Sequence, residues 1–151
     1  MPLDHAWIAA RIPHRDSMCL LDRVLEWDPA RIRCAATSHR ARDNPLRAHG
    51  RLGAACGVEY AAQAMAVHGA LCAAGDGAPA PRAGMLTSVR GVDLRVPRLD
   101  DIAADLTVQA ERVSGDHNAV VYEFRVQAGE RVLLSGRATV ILDIDATKGP
   151  G

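Results

Sequence analysis

The segment from Gly53 to Ala74 constrains the fold of this chain more than any other. It reads GAACGVEYAAQAMAVHGALCAA, is rich in alanine and contains no proline. Its length allows about five turns of α-helix. Apolar residues occupy nearly every side of this helix, whereas a surface helix carries one apolar stripe and an opposite polar face. We therefore expect a helix that the rest of the chain encloses on most sides.

The remaining segments are predicted to form the strands that enclose this helix. Three stretches after it alternate apolar and polar residues with a period of two, which is typical of half-buried antiparallel strands; they span 105–113, 119–127 and 131–142. In the last stretch the residues predicted to share one face are Val132, Leu134, Ala138, Val140 and Leu142. Composition and turn signals predict the other elements: strands at Cys19–Trp27, Ile32–Thr37 and Met85–Leu94, hairpin loops at Ser114–Asp116 and Ala128–Glu130, and a helix at Pro2–Ile12 with Asp4 as N-cap and Pro13 as stop.

The order of these elements predicts the fold class. Two strands, one long apolar helix and four more strands fit an α+β protein in which an antiparallel sheet wraps around a single central helix. That arrangement is the hot-dog fold. We expect one such domain over residues 1–151, with its core at about 12–144 and a frayed tail at Lys148–Gly151.

Composition excludes several classes of partner. Eighteen basic residues balance eighteen acidic ones, so no electrostatic feature favours nucleic acid or an anionic membrane. No basic head with an apolar core marks a signal peptide, and no apolar run approaches the ~20 residues of a membrane span. Scattered cysteines without a Cys-x-x-Cys pair, Cys19, Cys34, Cys56 and Cys72, are typical of buried thiols in a reducing compartment. We expect a soluble, cytoplasmic protein.

Glu59 is the main candidate for chemistry, because it is the only charged residue between Arg51 and Asp76. Desolvation favours the neutral form of a buried carboxyl group, which could then donate a proton. The alternative is a Glu at an exposed helix start, stabilised by the helix dipole. Gln63 lies one turn later on the same face; it could orient the carboxylate, bind a hydroxyl group, or merely satisfy backbone groups.

His49, on the loop before the helix, is a candidate general base, although most loop histidines are simply exposed. His68, on the helix, is interpreted as a packed or interface residue. The chain contains no His-Glu-x-x-His spacing and no glycine-rich phosphate loop. We therefore expect neither a metal site nor a cofactor.

Four segments, in this order, resemble the FabA/FabZ-like (3R)-hydroxyacyl-(acyl carrier protein) dehydratases. IPHRDSMCLLDRVLEWD, at Ile12–Asp28, is similar to that family's Pro-His-Arg and Leu-Leu-Val-Asp-Arg-Val opening. NPLRAH at Asn44–His49 stands at the position of its Asn-x-Pro-Phe-Phe and Gly-His segment. EYAAQA at Glu59–Ala64 resembles Glu-Ala-Met-Ala-Gln-Ala, and VDLRVPRLDD at Val92–Asp101 resembles its Arg-Pro-Val-x-Pro-Gly-Asp strand.

The resemblance implies a site and a reaction. His49 would remove the C2 proton and Glu59 would protonate the departing C3 hydroxyl across a dimer interface, giving a trans-2-enoyl thioester. Backbone N–H groups near Ala54 would polarise the thioester carbonyl. The substrate would be an acyl chain on acyl carrier protein, with arginines as docking contacts: Arg47, Arg51, Arg95 and Arg98.

The loop before the helix departs from the family pattern. HGRLGAA, from His49 to Ala55, lacks the family's prolines and is shorter, so the position of His49 is in question. The shape GRL…GVEYAAQA is closer to a diverged subgroup from aryl-polyene and polyketide-like gene clusters, whose members pair with a second hot-dog subunit. Asn44 would then help to position substrate.

Three functions stay open at this point. The first is dehydration of a 3-hydroxyacyl thioester in fatty-acid or polyene biosynthesis. The second is a hot-dog acyl thioesterase in which the helix carboxylate activates water. The third is a weakly catalytic acyl-binding subunit of a dehydratase heterodimer, which the shortened loop favours. All three imply a homodimer or a hot-dog heterodimer, because the edge strand of the sheet needs a partner.

Overall fold

A computed structural model describes residues 3–12, 18–75, 84–116 and 118–142 of the chain. The elements are α1 (His5–Ala9), β1 (Arg23–Asp28), β2 (Arg31–Ala36), α2 (Gly57–Gly75), β3 (Gly84–Leu94), β4 (Leu106–Gly115), β5 (Ala119–Ala128) and β6 (Arg131–Leu142), with short 3-10 turns at Ser38–Arg40 and Ala54–Cys56. The strands form a six-stranded antiparallel sheet around one long helix, in the order β1-β2-β4-β5-β6-β3. The predicted hot-dog architecture is confirmed.

Helix α2 packs onto the concave side of the sheet. Its alanine-rich composition lets the helix axis approach the strands closely, because small side chains do not hold the two backbones apart. Three residues of this helix are fully buried: Ala61, Ala64 and Val67. Strands β4 and β5 supply the facing layer by strict alternation, with Leu106, Val108, Ala110, Val120, Tyr122, Phe124 and Val126 turned inward. The prediction that α2 is largely enclosed is therefore confirmed.

The N-terminal elements are shorter than the sequence pattern predicts. Asp4 caps α1 as predicted, and its Oδ1 atom accepts the N–H of Trp7 at 3.0 Å. Helix α1 ends at Ala9, and the predicted stop at Pro13 lies outside the described residues. The predicted strand at Cys19–Trp27 begins only at Arg23. The preceding residues are apolar because they are buried, but the Leu20 N–H donates to a side chain of α2 instead of a neighbouring strand.

A register shift in β6 changes the face that the sequence predicts. The pairing of β5 with β6 shifts between Val126 and Gln127, so that Val126 opposes Leu134 and Gln127 opposes Val132. As a result Leu133 and Leu134 are adjacent in sequence and both fully buried. The predicted face holds for Leu134 and Ala138, whereas Leu133 is a core residue that simple alternation misses.

Two further predictions concern the whole chain. No helix among the described residues is long and apolar enough to cross a membrane. The four cysteines are free, with Cys19 and Cys34 buried and Cys56 and Cys72 half-buried. The described residues share one hydrophobic core, whereas the predicted tail at Lys148–Gly151 lies outside them.

Candidate active site

Glu59 and Gln63 form a hydrogen-bonded pair at the start of α2. Glu59 lies in the first helical turn and is half-buried, whereas Gln63 is fully buried. The Gln63 Nε2 group donates to Glu59 Oε1 at 3.3 Å and to the Met18 carbonyl at 2.7 Å. Gln63 Oε1 accepts the Leu20 N–H at 2.8 Å. Gln63 thus satisfies backbone groups and orients the carboxylate at the same time, and its binding of a substrate hydroxyl stays a prediction.

Asn44 belongs to the loop that precedes α2, and it is buried. Its Nδ2 group donates to the Ser38 carbonyl at 2.8 Å and to Tyr60 Oη at 3.1 Å. Its Oδ1 atom accepts the Leu46 N–H at 2.8 Å. Both ends of the amide are therefore engaged within the protein. These contacts hold the loop in place, and the role of Asn44 in positioning substrate stays a prediction.

Tyr60 is a buried polar residue that the sequence analysis did not single out. Its side chain is fully buried, and its hydroxyl contacts Ser38 Oγ at 2.8 Å as well as the Asn44 amide. Burial raises the pKa of Tyr60 above its ordinary value, and the hydrogen bonds with Ser38 and Asn44 partly oppose that rise. One signal could have revealed it: Tyr60 is the single Phe, Tyr or Trp in a helix built mainly of small residues.

His49 occupies the tip of a tight turn. The Ala48 N–H donates to the Arg51 carbonyl at 2.9 Å, and the Arg51 N–H donates to the Ala48 carbonyl at 3.1 Å. His49 and Gly50 both have positive φ, at 55° and 77°, which is the geometry of a type I′ turn. The His49 side chain is exposed, and no hydrogen bond or ion pair joins it to Glu59 within the described part of one chain.

The turn at Ala54 is tied to the segment between β3 and β4. The Ala54 N–H donates to the Pro97 carbonyl at 3.1 Å, and the Leu99 N–H donates to the Leu52 carbonyl at 2.8 Å. The Ala54 N–H is thus already used, which counts against its predicted role in polarising a thioester carbonyl. Ala55 is exposed in the same turn, and its N–H takes part in neither of these bonds.

Asp100 clamps this loop and was also missed by the sequence analysis. Its side chain is 7% exposed, accepts the Leu52 N–H at 2.8 Å, and forms a two-point ion pair with Arg98. The Arg98 guanidinium beside it holds the pKa of Asp100 well below its usual range. The Arg47 Nη1 atom lies 4.0 Å from Asp100 Oδ2, and the Arg47 Nε group donates to the Ala41 carbonyl. Arg47 and Arg98 therefore hold the loop together, whereas Arg51 and Arg95 remain exposed.

His68 is packed away from these residues, as the sequence indicates. Its ring contacts the Tyr122 hydroxyl at 2.7 Å and the Asp28 carbonyl at 2.8 Å. Burial lowers the pKa of His68 below its ordinary value. Among the described residues, no group of three or more His, Cys, Asp or Glu side chains could hold a metal ion.

Comparison with known proteins places this geometry in context. A family model described as ApeP-like, ApeP dehydratase, matches residues 6–148. No protein of curated function matches the sequence significantly.

Solved structures share the fold. One belongs to the dehydratase heterocomplex ApeI:P from Xenorhabdus doucetiae, with a TM-score of 0.81 and 24% identity over 97% of this chain and 93% of that chain. A thioesterase from Haemophilus influenzae superposes with a TM-score of 0.56 and 12% identity, covering 80% of this chain and 76% of its own. A thioesterase mutant from Pseudomonas aeruginosa superposes with a TM-score of 0.57 and 14% identity, covering 80% of this chain and 79% of its own. At these identities the structures establish the hot-dog fold alone.

Proposed function

The chain belongs to the ApeP-like dehydratases, and from this premise we propose that it removes water from a 3-hydroxyacyl thioester on acyl carrier protein. The product is the trans-2-enoyl thioester. The observation that carries the proposal is the half-buried Glu59 carboxylate, held by Gln63 at the start of an otherwise apolar helix. The proposal places this chemistry in the biosynthesis of aryl polyenes or related acyl chains.

The reaction needs one acid and one base. A base removes a proton from C2, the C2–C3 double bond forms, and the C3–O bond breaks. Glu59 in its acid form gives its proton to the departing hydroxyl, which leaves as water. The product then carries a double bond in place of one C–H and one C–O bond, and the proton taken by the base returns to Glu59 through solvent or directly.

Two other groups complete the proposed site. Ala55 is exposed in the turn that leads into α2, and its N–H is the group proposed to donate to the thioester carbonyl as negative charge develops on it. His49 is the proposed base. Because its turn is exposed and unconnected to Glu59 within one chain, the proposal requires His49 to act on a substrate held against the carboxylate of a neighbouring subunit, or that subunit to supply the base.

A second hot-dog subunit is proposed to pair at β3. This strand lies at one end of the sheet and is long, with exposed apolar side chains at Leu86, Val92 and Leu94. At the opposite end, the residues before α1 already cover part of β1, since the Leu3 carbonyl accepts the Val24 N–H. Among the described strands β3 pairs only with β6, and an apolar edge strand favours pairing with another strand. The partner is a second copy of the chain or a different hot-dog subunit; the structurally similar ApeI:P dehydratase is a heterocomplex.

A cytoplasmic location is part of the proposal, because all four cysteines are free thiols and free thiols persist in reducing compartments. The remaining functions are outcomes of the test below. A thioesterase would use Glu59 to activate water against the thioester. A weakly catalytic acyl-binding subunit would leave His49 without a role in chemistry.

The test measures enoyl product from 3-hydroxyacyl-(acyl carrier protein) and free thiol from acyl-CoA. The variants are Glu59→Gln and His49→Asn, since Asn tolerates the positive φ of this turn and cannot act as a base. Glu111→Gln, an exposed residue of β4, is the matched control. Each protein is assayed alone and after mixing with a second hot-dog subunit.

Each outcome separates the candidates. Enoyl product that is lost in both variants and kept in Glu111→Gln supports dehydration with both groups. Loss in Glu59→Gln alone assigns the base to the partner. Thiol release that depends on Glu59 without enoyl product would identify a thioesterase. Activity that needs a partner and survives both substitutions would leave this chain an acyl-binding subunit.

A further inference from the structure

Two sets of hydrogen bonds, joined through the backbone of Leu20, lead from the Tyr60 hydroxyl toward the candidate acid. Tyr60 Oη and Ser38 Oγ lie 2.8 Å apart, and Ser38 Oγ donates to the Leu20 carbonyl at 2.7 Å. Because Ser38 gives its one hydrogen to Leu20, the Tyr60 hydroxyl must donate to Ser38 Oγ. The direction of the first two bonds is thereby fixed.

The second set leads from Leu20 to Glu59 through Gln63. The Leu20 N–H donates to Gln63 Oε1 at 2.8 Å, and Gln63 Nε2 donates to Glu59 Oε1 at 3.3 Å. Leu20 is fully buried, as is Gln63. The backbone of Leu20 therefore binds Ser38 through its carbonyl and Gln63, the partner of the Glu59 carboxylate, through its N–H.

The Tyr60 end of the first set holds the loop that carries His49. The Tyr60 hydroxyl accepts a hydrogen bond from Asn44 Nδ2 at 3.1 Å, and Asn44 Oδ1 accepts the Leu46 N–H at 2.8 Å. The turn with His49 at its tip follows directly at residues 48–51. Tyr60 is thus the side chain at which the loop and the support of Glu59 meet.

The choice of tyrosine at this position has a physical consequence. A phenol placed in a core must find hydrogen-bond partners or lose stability, and Tyr60 finds both Ser38 and Asn44. A fully satisfied buried network of this kind fixes the relative position of the segments that contribute to it.

From these contacts we infer that Tyr60 is a positioning residue for the dehydration reaction. Its hydroxyl sets the loop bearing His49 and the Gln63-bound carboxylate of Glu59 in one fixed arrangement. Because Tyr60 is fully buried and its hydroxyl bonds Ser38 and Asn44, it is assigned a positioning role and no contact with substrate. The inference rests on the proposed function, since it assigns a role within that reaction.

Tyr60→Phe tests the inference, with Tyr122→Phe as the matched control. Both substitutions remove one buried hydroxyl with little change in shape, and the Tyr122 hydroxyl bonds His68, away from Glu59. For Tyr60→Phe we expect kcat to fall about 10- to 100-fold with KM changed less than about twofold, because small misplacements of reacting groups reduce rates by such factors. The pH profile of kcat should also move. Tyr122→Phe should lower the melting temperature to a similar extent and leave kcat and the pH profile unchanged.

A spectroscopic measurement separates failure of this inference from failure of the proposed function. In protein labelled at Glu and Gln, the carboxyl carbon signal of Glu59 and the side-chain amide signal of Gln63 should move in Tyr60→Phe and stay in place in Tyr122→Phe. Dehydration by the wild type together with full activity of Tyr60→Phe would overturn the inference and leave the function standing. Absence of dehydration in the wild type would overturn the proposed function. If the Glu59 and Gln63 signals were then also unchanged in Tyr60→Phe, the inferred coupling of Tyr60 to Glu59 would be overturned as well.

A double substitution provides a final check. If Tyr60 acts through Ser38, then Ser38→Ala combined with Tyr60→Phe should reduce kcat no further than the more damaging single substitution. Losses that multiply would show that the two hydroxyls act independently, and the proposed link would be rejected.

Discussion

The same substitution at two glycines of α2 should change stability in opposite directions. Gly57 lies at the first turn of the helix and is buried, whereas Gly69 lies two-thirds of the way along and is exposed. In an isolated helix, alanine would be favoured over glycine at either position by up to about 1 kcal/mol. The surroundings of the two positions differ, and they decide the sign.

Distances from the structure give the size of the effect. A Cβ atom at Gly57 would lie 2.5 Å from Leu134 Cδ2, 2.9 Å from Cδ1 and 3.2 Å from Cγ, whereas carbon atoms in favourable contact lie about 3.5–4.0 Å apart. Leu134 is fully buried, so relief requires a shift within a packed core, at about 1–3 kcal/mol. After the helix-propensity gain, Gly57→Ala should lose about 1–2 kcal/mol.

Gly69→Ala meets no atom within 4 Å of the new Cβ. It should therefore keep the propensity gain of about 0.5–1 kcal/mol. The two variants should then differ by roughly 1.5–3 kcal/mol in free energy of unfolding, or by several degrees in melting temperature at this chain length.

Urea denaturation at one fixed protein concentration measures the difference, since concentration affects the stability of any oligomer. The midpoint of Gly57→Ala should fall and that of Gly69→Ala should rise, with similar m-values. A Gly57→Ala protein as stable as the wild type would refute the close approach of α2 to β6. A destabilised Gly69→Ala protein would refute its open environment.

Two further predictions concern ionisable groups. Burial lowers the pKa of His39 and of His68, so below about pH 6.5 the unfolded chain binds protons that the folded chain excludes. The free energy of unfolding should therefore be steady near pH 7–8 and decrease toward about pH 5. A free energy of unfolding that does not change with pH over this range would contradict the prediction. Asp100→Asn removes the charge that holds Arg98 and a backbone N–H of the loop, so the melting temperature should fall by a few degrees, whereas Asp43→Asn, on the exposed surface of the same loop, should change little. The difference in melting temperature between the wild type and Asp100→Asn should persist down to about pH 4 and shrink below it. The reason is that the Asp100 carboxyl group stays ionised in the folded chain while it takes up a proton in the unfolded chain.

The sequence predicted the fold because the relevant signals are local. Alternation in 119–127 and the continuous apolar character of α2 each depend on neighbours within one element, and both reappear in the structure. The pairing of Glu59 with Gln63 was predictable for the same reason, since residues four apart on a helix share a face. Leu133 was missed because a register shift depends on the partner strand, which alternation within β6 does not reveal.

The candidate site was only partly predictable, as three residues illustrate. Asn44 was predicted to help position substrate, and only the structure shows that its amide bonds Ser38, Tyr60 and Leu46. Tyr60 and Asp100 were not singled out, although each organises a segment near Glu59. Their partners lie far away in sequence, with separations of 16 between Asn44 and Tyr60 and 48 between Leu52 and Asp100.

The amino-acid sequence by itself determined that one apolar helix would be wrapped by an antiparallel sheet, and that a lone carboxyl group would share a helix face with a glutamine one turn later. Tertiary structure alone decided which buried groups hold that carboxyl group, which backbone N–H groups are already used, and where His49 lies. The physical reason is that periodicity reports which face of an element is buried. A hydrogen bond between distant segments depends instead on how those faces are brought together, and no stretch of sequence records that.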